Sequence, residues 1–255
     1  MARRNGKRQF MEERTTRNRK DKSSPVVSGK HMENRESNLP VLQAMTPKQK
    51  AYINLVNTKD LVFATGYAGT SKTYIPTAIA CRKLRMGEIK KIYLTRPNVS
   101  NTKSLGAFKG TLVEKMQPWL GPVLSVMYEY LGKNVTELYI ESGVIEFVPM
   151  EVIKGYSLSD AFIICDEAED LNFKDAKKLV TRQGKNSTMV LCGDITQSEL
   201  EAGSGLRKLI EISQSHPSIG AGYVDFDEYS DIVRHGIVRE WIKAFEQEDK
   251  NEKSQ

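Results

Sequence analysis

The sequence is poor in cysteine, in long apolar runs and in paired metal-ligand spacings. Its three cysteines, Cys81, Cys165 and Cys192, form no C-x-x-C pair, and each stands among apolar or helix-like neighbours. That argues against a disulfide scaffold or a zinc ribbon and predicts reduced core thiols in a cytoplasmic protein. No apolar run approaches the ~20 residues of a membrane-spanning helix, and the N-terminus has no apolar signal core. No membrane partner is therefore expected. What remains is ordinary for a globular chain: 255 residues, 39% hydrophobic and 27% charged, enough for a large core in one or two domains.

Beyond residue 40 the chain also lacks any excess of one charge. Residues 1–40 hold 11 Lys/Arg against 5 Asp/Glu, whereas residues 41–255 hold 27 of each. The first 40 residues are poor in aliphatic and aromatic side chains. They cannot bury enough apolar surface to offset the entropy of ordering, so a disordered basic arm is expected. Such an arm can contact phosphate backbones without sequence preference. A purely solubilising tail explains the same composition. Residues 249–255 are expected to fray.

From about Met45 the pattern becomes regular. Thr46 and Pro47 read as the cap and first position of a helix over 46–56. Short apolar runs at 61–65, 91–95, 144–150, 161–165, 188–192 and 222–226 read as strands. Helical spacing covers 73–87, 111–132, 173–184, 203–213 and 236–248, with Gly87 and Gly184 as stops. A loop of small residues spans 98–110. Strands alternating with helices predict an α/β fold, a doubly wound parallel sheet covered on both faces, over residues 41–248.

Three stretches carry chemistry. The first is TGYAGTSKTYIP at 65–76, a strand-loop-helix junction with the spacing Gly66-x-x-x-x-Ser71-Lys72-Thr73. It differs at one position from the phosphate-cradling pattern G-x-x-x-x-G-K-[ST]. Gly66 and Gly69 let backbone amides from Tyr67 and Ala68 through Thr70 and Ser71 turn toward one phosphate, and the next helix adds its dipole. Lys72 would reach the terminal phosphates and Thr73 would bind Mg2+. Ser71 stands where the pattern has glycine. If its backbone is left-handed, strain of about 1–3 kcal/mol follows. If it is helical, serine costs nothing.

The second stretch, AFIICDEAED at 161–170, is a buried strand ending in two carboxylates. Asp166 suits Mg2+, mainly through water, and Glu167 suits the general base for an attacking water. A solvated acidic helix start is the alternative. In the third, TMVLCGDITQSEL at 188–200, a strand ends in Gly193-Asp194, with Gln197 placed to sense a terminal phosphate. A simple capped turn is the alternative there.

With these elements in order, the chain resembles the PhoH family of P-loop ATPases, related to superfamily 1 helicase motors. The resemblance covers most of residues 45–245. It rests on TPKQ at 46–49, the loop, TRPNV at 95–99, 105–123, 144–170, TRQG at 181–184, GDITQSEL at 193–200 and DIVRHGIV at 231–238. It implies a single RecA-like domain that binds ATP with Mg2+ and hydrolyses it, ring assembly as a hexamer, and association with RNA or single-stranded DNA. Small versions of the family are common in phages, so the resemblance also suggests a phage origin. By position, Gln49 resembles the adenine reader and Arg96-Pro97 a motif that links nucleic-acid contact to ATP. Arg182, Arg207 and Arg234 are candidate arginine fingers, with Arg234 preferred because it follows the last strand.

Three departures from the family stand out: Ser71, the pair Glu169-Asp170 where relatives carry Gln-Asn, and the lack of room for fused nuclease or RNA-binding domains. The two extra acids suggest like-charge repulsion near the phosphates or an altered metal geometry. Trp119 and Trp241 fit apolar helix faces and are expected in the core. The alternative to a working ATPase is an ATP-dependent binding switch with slow turnover.

Overall fold

The structure, a computed structural model, describes residues 40–97, 112–198, 200 and 203–253. The basic arm therefore lies outside the described residues apart from Pro40, as do the loop of small residues and positions 98–99 of the TRPNV motif.

Helix α1 (Pro47–Thr58) begins as its sequence dictates: the Thr46 hydroxyl accepts from the Gln49 amide at 3.1 Å, with Pro47 at the first position. There follow β1 (Leu61–Gly66), α2 (Tyr74–Met86), β2 (Lys91–Thr95), α3 (Leu112–Leu131), α4 (Lys133–Glu141), β3 (Ile145–Phe147) and β4 (Ala161–Cys165). Then come α5 (Phe173–Val180), β5 (Thr188–Cys192), α6 (Gly205–Ser215), β6 (Gly222–Phe226) and α7 (Gly236–Lys253). Gly87 closes α2 in the left-handed conformation, φ 78°.

All six strands run parallel, in the order β3-β2-β4-β5-β1-β6. Side chains alternate across the sheet. Val62, Ala64, Ile92, Phe162 and Val190 join α1, α2 and α3 in one core; Phe63, Ile163, Met189 and Leu191 join α5 and α6 in another. Every residue of β4 is buried, as a central parallel strand requires. The fold is thus the expected doubly wound α/β domain. Because β5 lies between β1 and β4, the carboxyl ends of these three strands deliver the loop, the carboxylate pair and the Gly193-Asp194 turn to one edge.

Helix boundaries differ from the expectation in three places. Gly132, left-handed at φ 82°, ends α3 and turns the chain into α4, which the sequence pattern did not announce. Buried Thr136 locks that corner by donating to the Gly132 carbonyl at 2.9 Å. Helix α5 stops at Val180 rather than Gly184, because Arg182 and Gly184 pair instead with Leu158 through backbone hydrogen bonds of 3.0 Å. Helix α7 continues to Lys253, into the segment expected to fray.

Candidate nucleotide-binding site

The loop between β1 and α2 is closely held. Gly66 has φ 109°, and a Cβ there would lie 2.3 Å from the Phe226 carbonyl oxygen; Gly69 has φ 81°, and a Cβ would meet the Arg234 side chain at 2.8 Å. Both positions need glycine for conformation and for space. The loop's outer rim is tied down by Val233, whose amide donates to the Gly69 carbonyl at 3.1 Å, and internally by the Thr70 hydroxyl, which donates to the Tyr67 carbonyl at 2.9 Å.

Ser71 is left-handed, with φ 72°. The question left open by the sequence is answered on the strained side, at a cost on the order of 1–3 kcal/mol. The carbonyl of Ser71 still accepts from Ile75 at 3.1 Å, so α2 starts normally. Gln49, only 2% exposed, supports this bend from behind. Its amide nitrogen lies 3.2 Å from the Thr70 carbonyl and 3.4 Å from the Ser71 hydroxyl, while its oxygen accepts from the Met45 amide at 2.8 Å.

The Lys72 ammonium donates to the carbonyls of Gly66 and Tyr67. Burial pulls its pKa below the usual lysine value, and the nearby acids, Asp194 foremost, work against that. Its backbone carbonyl accepts from the Tyr52 hydroxyl at 2.8 Å and the Cys192 thiol at 3.1 Å. All three cysteines are buried and unpaired, as expected.

Across the cleft, the Thr73 hydroxyl donates to Asp166 Oδ1 at 2.6 Å. Burial raises the Asp166 pKa, and this hydrogen bond holds it down. Glu167 is left-handed, φ 51°, and its side chain is 43% exposed, 3.6 Å from the Arg96 guanidinium. Asp194 accepts from the Thr196 amide (3.1 Å), the Thr196 hydroxyl (2.6 Å) and the Gln197 side-chain amide (2.8 Å), so Gln197 is tethered by a buried carboxylate.

These groups enclose a cleft of about 440 Å³. Its wall includes Ala68 through Thr73, Asp166, Glu167, Gly193, Asp194, Gln197 and Arg234, with Val123 and Val126 of α3 opposite. Gly66 and Tyr67 line a neighbouring cavity instead, and Gln49 is buried behind the loop. Of the three candidate fingers only Arg234 lines the cleft; Arg182 contacts the Lys154 carbonyl, and Arg207 lines a separate cavity beside β6.

Two expectations are corrected. Glu169 does not border the cleft: it is 3% exposed and turned against Gly193. Burial, and then Glu167, push its pKa up to about 9, against a hydrogen bond from its own backbone that favours the charged form. Trp241 is 57% exposed, not in the core. One contact had no sequence signal. The hydroxyls of Tyr67 and Tyr229 donate to the two oxygens of Glu246, at 2.5 and 2.6 Å, fastening α7 to the loop. Tyr67 and Glu246 are 179 residues apart, so no local pattern joins them.

The residues suit a nucleotide with Mg2+: the glycine-rich loop and a lysine line the cleft, and a hydroxyl-carboxylate pair meets in its wall. Among the described residues no three His, Cys, Asp or Glu side chains gather into an all-protein metal cage. A two-ligand site completed by water and phosphate is the form magnesium prefers.

A parallel α/β sheet with this loop and carboxylate edge defines a P-loop NTPase. The family model described as "PhoH-like protein" matches residues 41–246, and the chain belongs to that family. It is 37% identical to the PhoH-like protein of Bacillus subtilis over 210 residues, 82% of this chain and 65% of that one. It is 32% identical to Protein PhoH of Escherichia coli K12 over 210 residues, 81% of this chain and 58% of that one. The chain thus spans less than two thirds of the length of these curated relatives. Among solved structures it is similar to the Sulfolobus solfataricus SWI2/SNF2 ATPase core in complex with dsDNA (TM-score 0.40, 11% identity, 72% of this chain and 45% of that one). It is also similar to the Pif1 helicase from Candida albicans (TM-score 0.33, 16% identity, 74% and 41%). Among the described residues no helix is long and apolar enough to cross a membrane.

Proposed function

We propose that the chain binds Mg2+-ATP in this cleft and hydrolyses it by attack of water, working with RNA or single-stranded DNA and as a ring. The carrying observation is convergence: Lys72, the Thr73–Asp166 pair, Glu167, Gln197 and Arg234 share one cleft. Loop amides from Tyr67 to Thr73 cradle the phosphates. Lys72 moves from the Gly66 and Tyr67 carbonyls to the terminal phosphates. Glu167 accepts the proton of the attacking water as it bonds to phosphorus, and the leaving diphosphate takes the electron pair of the broken P–O bond. Gln197 senses the terminal phosphate, and Arg234 stabilises the charge that develops on it. Magnesium, held by Thr73 and Asp166, supplies neutralisation of phosphate charge. By family likeness Gln49 reads adenine; its amide, here bonded to the loop, would have to turn outward to do so.

Ring assembly has support from α7. Ile237, Trp241 and Phe245 are 59%, 57% and 59% exposed at helical spacing, forming an apolar stripe on the helix that is fastened to the loop. A neighbouring copy covering that stripe would report its presence to the nucleotide. Deleting residues 1–40 tests the arm: binding to RNA should weaken and lose part of its salt dependence, and unchanged binding removes the arm's role.

The decisive measurement is steady-state phosphate release with and without RNA, beside calorimetric ATP binding. Glu167→Gln should abolish release while ATP still binds. The second reading, an ATP-dependent binding switch, is favoured by the strained Ser71. Binding without release by the assembled wild type selects it.

A further inference from the structure

Glu169 has no part in the roles above, yet its setting is specific. It is 3% exposed, and its Oε2 is buried without a hydrogen-bond partner. A Cβ on Gly193 would lie 2.3 Å from that oxygen and 2.8 Å from the Glu169 amide, so a glycine is required where the sensor turn passes over it. The turn is pinned from below: the hydroxyls of Ser198 and Ser204 both donate to the Glu169 carbonyl, at 2.9 and 2.7 Å.

Among the described residues the titratable groups facing this carboxyl are few. Glu167 and Asp170 share its turn, Cys165 and Cys192 approach from β4 and β5, Asp194 follows β5, and Lys72 lies across the loop. The thiols are neutral, their pKa values raised by burial. The Lys72 ammonium is bonded to Gly66 and Tyr67. A carboxylate anion here would be buried, without a cation bonded to it, and next to Glu167. Each of these conditions favours the acid form, and together they outweigh the hydrogen bond from its own backbone that favours the anion.

Glu167 is the carboxyl nearest in chain to Glu169 that also lines the cleft. Its backbone is left-handed, its side chain is 43% exposed, and its pair with Arg96 is a loose 3.6 Å contact. We propose that Glu169 stays protonated at neutral pH and donates that proton to the Glu167 carboxylate, acting as the positioning residue that aims Glu167 into the cleft. The aiming role rests on the reading of Glu167 as general base; the protonated state does not.

The sign of the linkage is definite. The group's pKa in the folded chain, about 9, lies above the ordinary glutamate value of 4.5. Its contribution to stability is therefore complete below the unfolded value and lost as pH rises through the folded one. The test compares wild type, Glu169→Gln and Glu169→Ala as full chains. Glutamine has nearly the same shape, donates from its amide and has no proton to lose.

The first readout is thermal unfolding without nucleotide from about pH 5 to about pH 9. Wild-type Tm should fall across that range relative to Glu169→Gln, with the two close at the acid end and the variant higher at the alkaline end. Parallel curves would overturn the protonated state. The second readout is the pH profile of phosphate release. Glu169→Ala should be slow at every pH. Glu169→Gln should restore most of that loss and carry activity past the alkaline decline of the wild type, whereas Lys72 titration would affect all three alike. Equal rates for the alanine and glutamine variants would overturn the aiming role. Absence of release from all three would overturn hydrolysis and, with it, the aiming role, while the unfolding curves still decide the protonation state.

Discussion

Two residues at the carboxyl edge of the sheet, Ser71 after β1 and Glu167 after β4, both hold left-handed backbones, at φ 72° and 51°. Neither is glycine, and both incur strain on the order of 1–3 kcal/mol. Their side chains use it differently. The Ser71 hydroxyl gains one long contact, 3.4 Å from the Gln49 amide. The Glu167 carboxyl lies 3.6 Å from the Arg96 guanidinium, on the cleft wall that Ser71 also lines. Equal backbone distortion thus turns one side chain back onto the support of the loop and the other toward an arginine, although both residues line one cleft. Strain marks a place to look, and only the side chain's surroundings say what it serves.

Replacing each residue by glycine would break or sharpen this contrast. Glu167→Gly relieves the backbone and deletes the base. Phosphate release should fall roughly 10²–10⁴-fold while thermal stability holds or rises. A variant that keeps its rate would remove Glu167 from the chemistry. Next in size is the reverse change at Gly66, where the backbone is left-handed and crowded as well. Gly66→Ala should destabilise by about 3 kcal/mol or more in urea unfolding, because its Cβ would lie 2.3 Å from the Phe226 oxygen. Smallest is Ser71→Gly, which should add about 0.5–1 kcal/mol once the extra freedom of glycine in the unfolded chain is deducted. Calorimetry on that variant should show ATP affinity equal to or above wild type. A clear drop would mean that the Ser71 hydroxyl touches phosphate.

Much of the fold was legible because its signals are local. Apolar runs such as AFIIC at 161–165, the cap at Thr46 and the glycine stop at Gly87 depend on neighbours a few residues away. The loop, the carboxylate pair and the Gly193-Asp194 turn were each readable as motifs, and parallel pairing brought them to one edge. Helix α4 was not readable, since Gly132 fits an α3 pattern until its φ is known. Trp241 misled for a related reason: helical spacing fixes which residues share a face, not what covers that face. Glu169 misled more instructively. Its place beside the phosphates was inferred from residue type and spacing, whereas the fold buries it and raises its pKa.

The order of strands and helices, the identity of the phosphate loop and the pair of acids after β4 follow from the sequence, because each depends on contacts within about one turn or one strand. The backbone sign at Ser71, the burial of Glu169 and the fastening of α7 to the loop through Tyr67, Tyr229 and Glu246 were decided only by tertiary structure. Each depends on atoms that the chain brings together from distant positions. Dielectric surroundings, steric room and hydrogen-bond partners of that kind do not exist until the sheet is assembled.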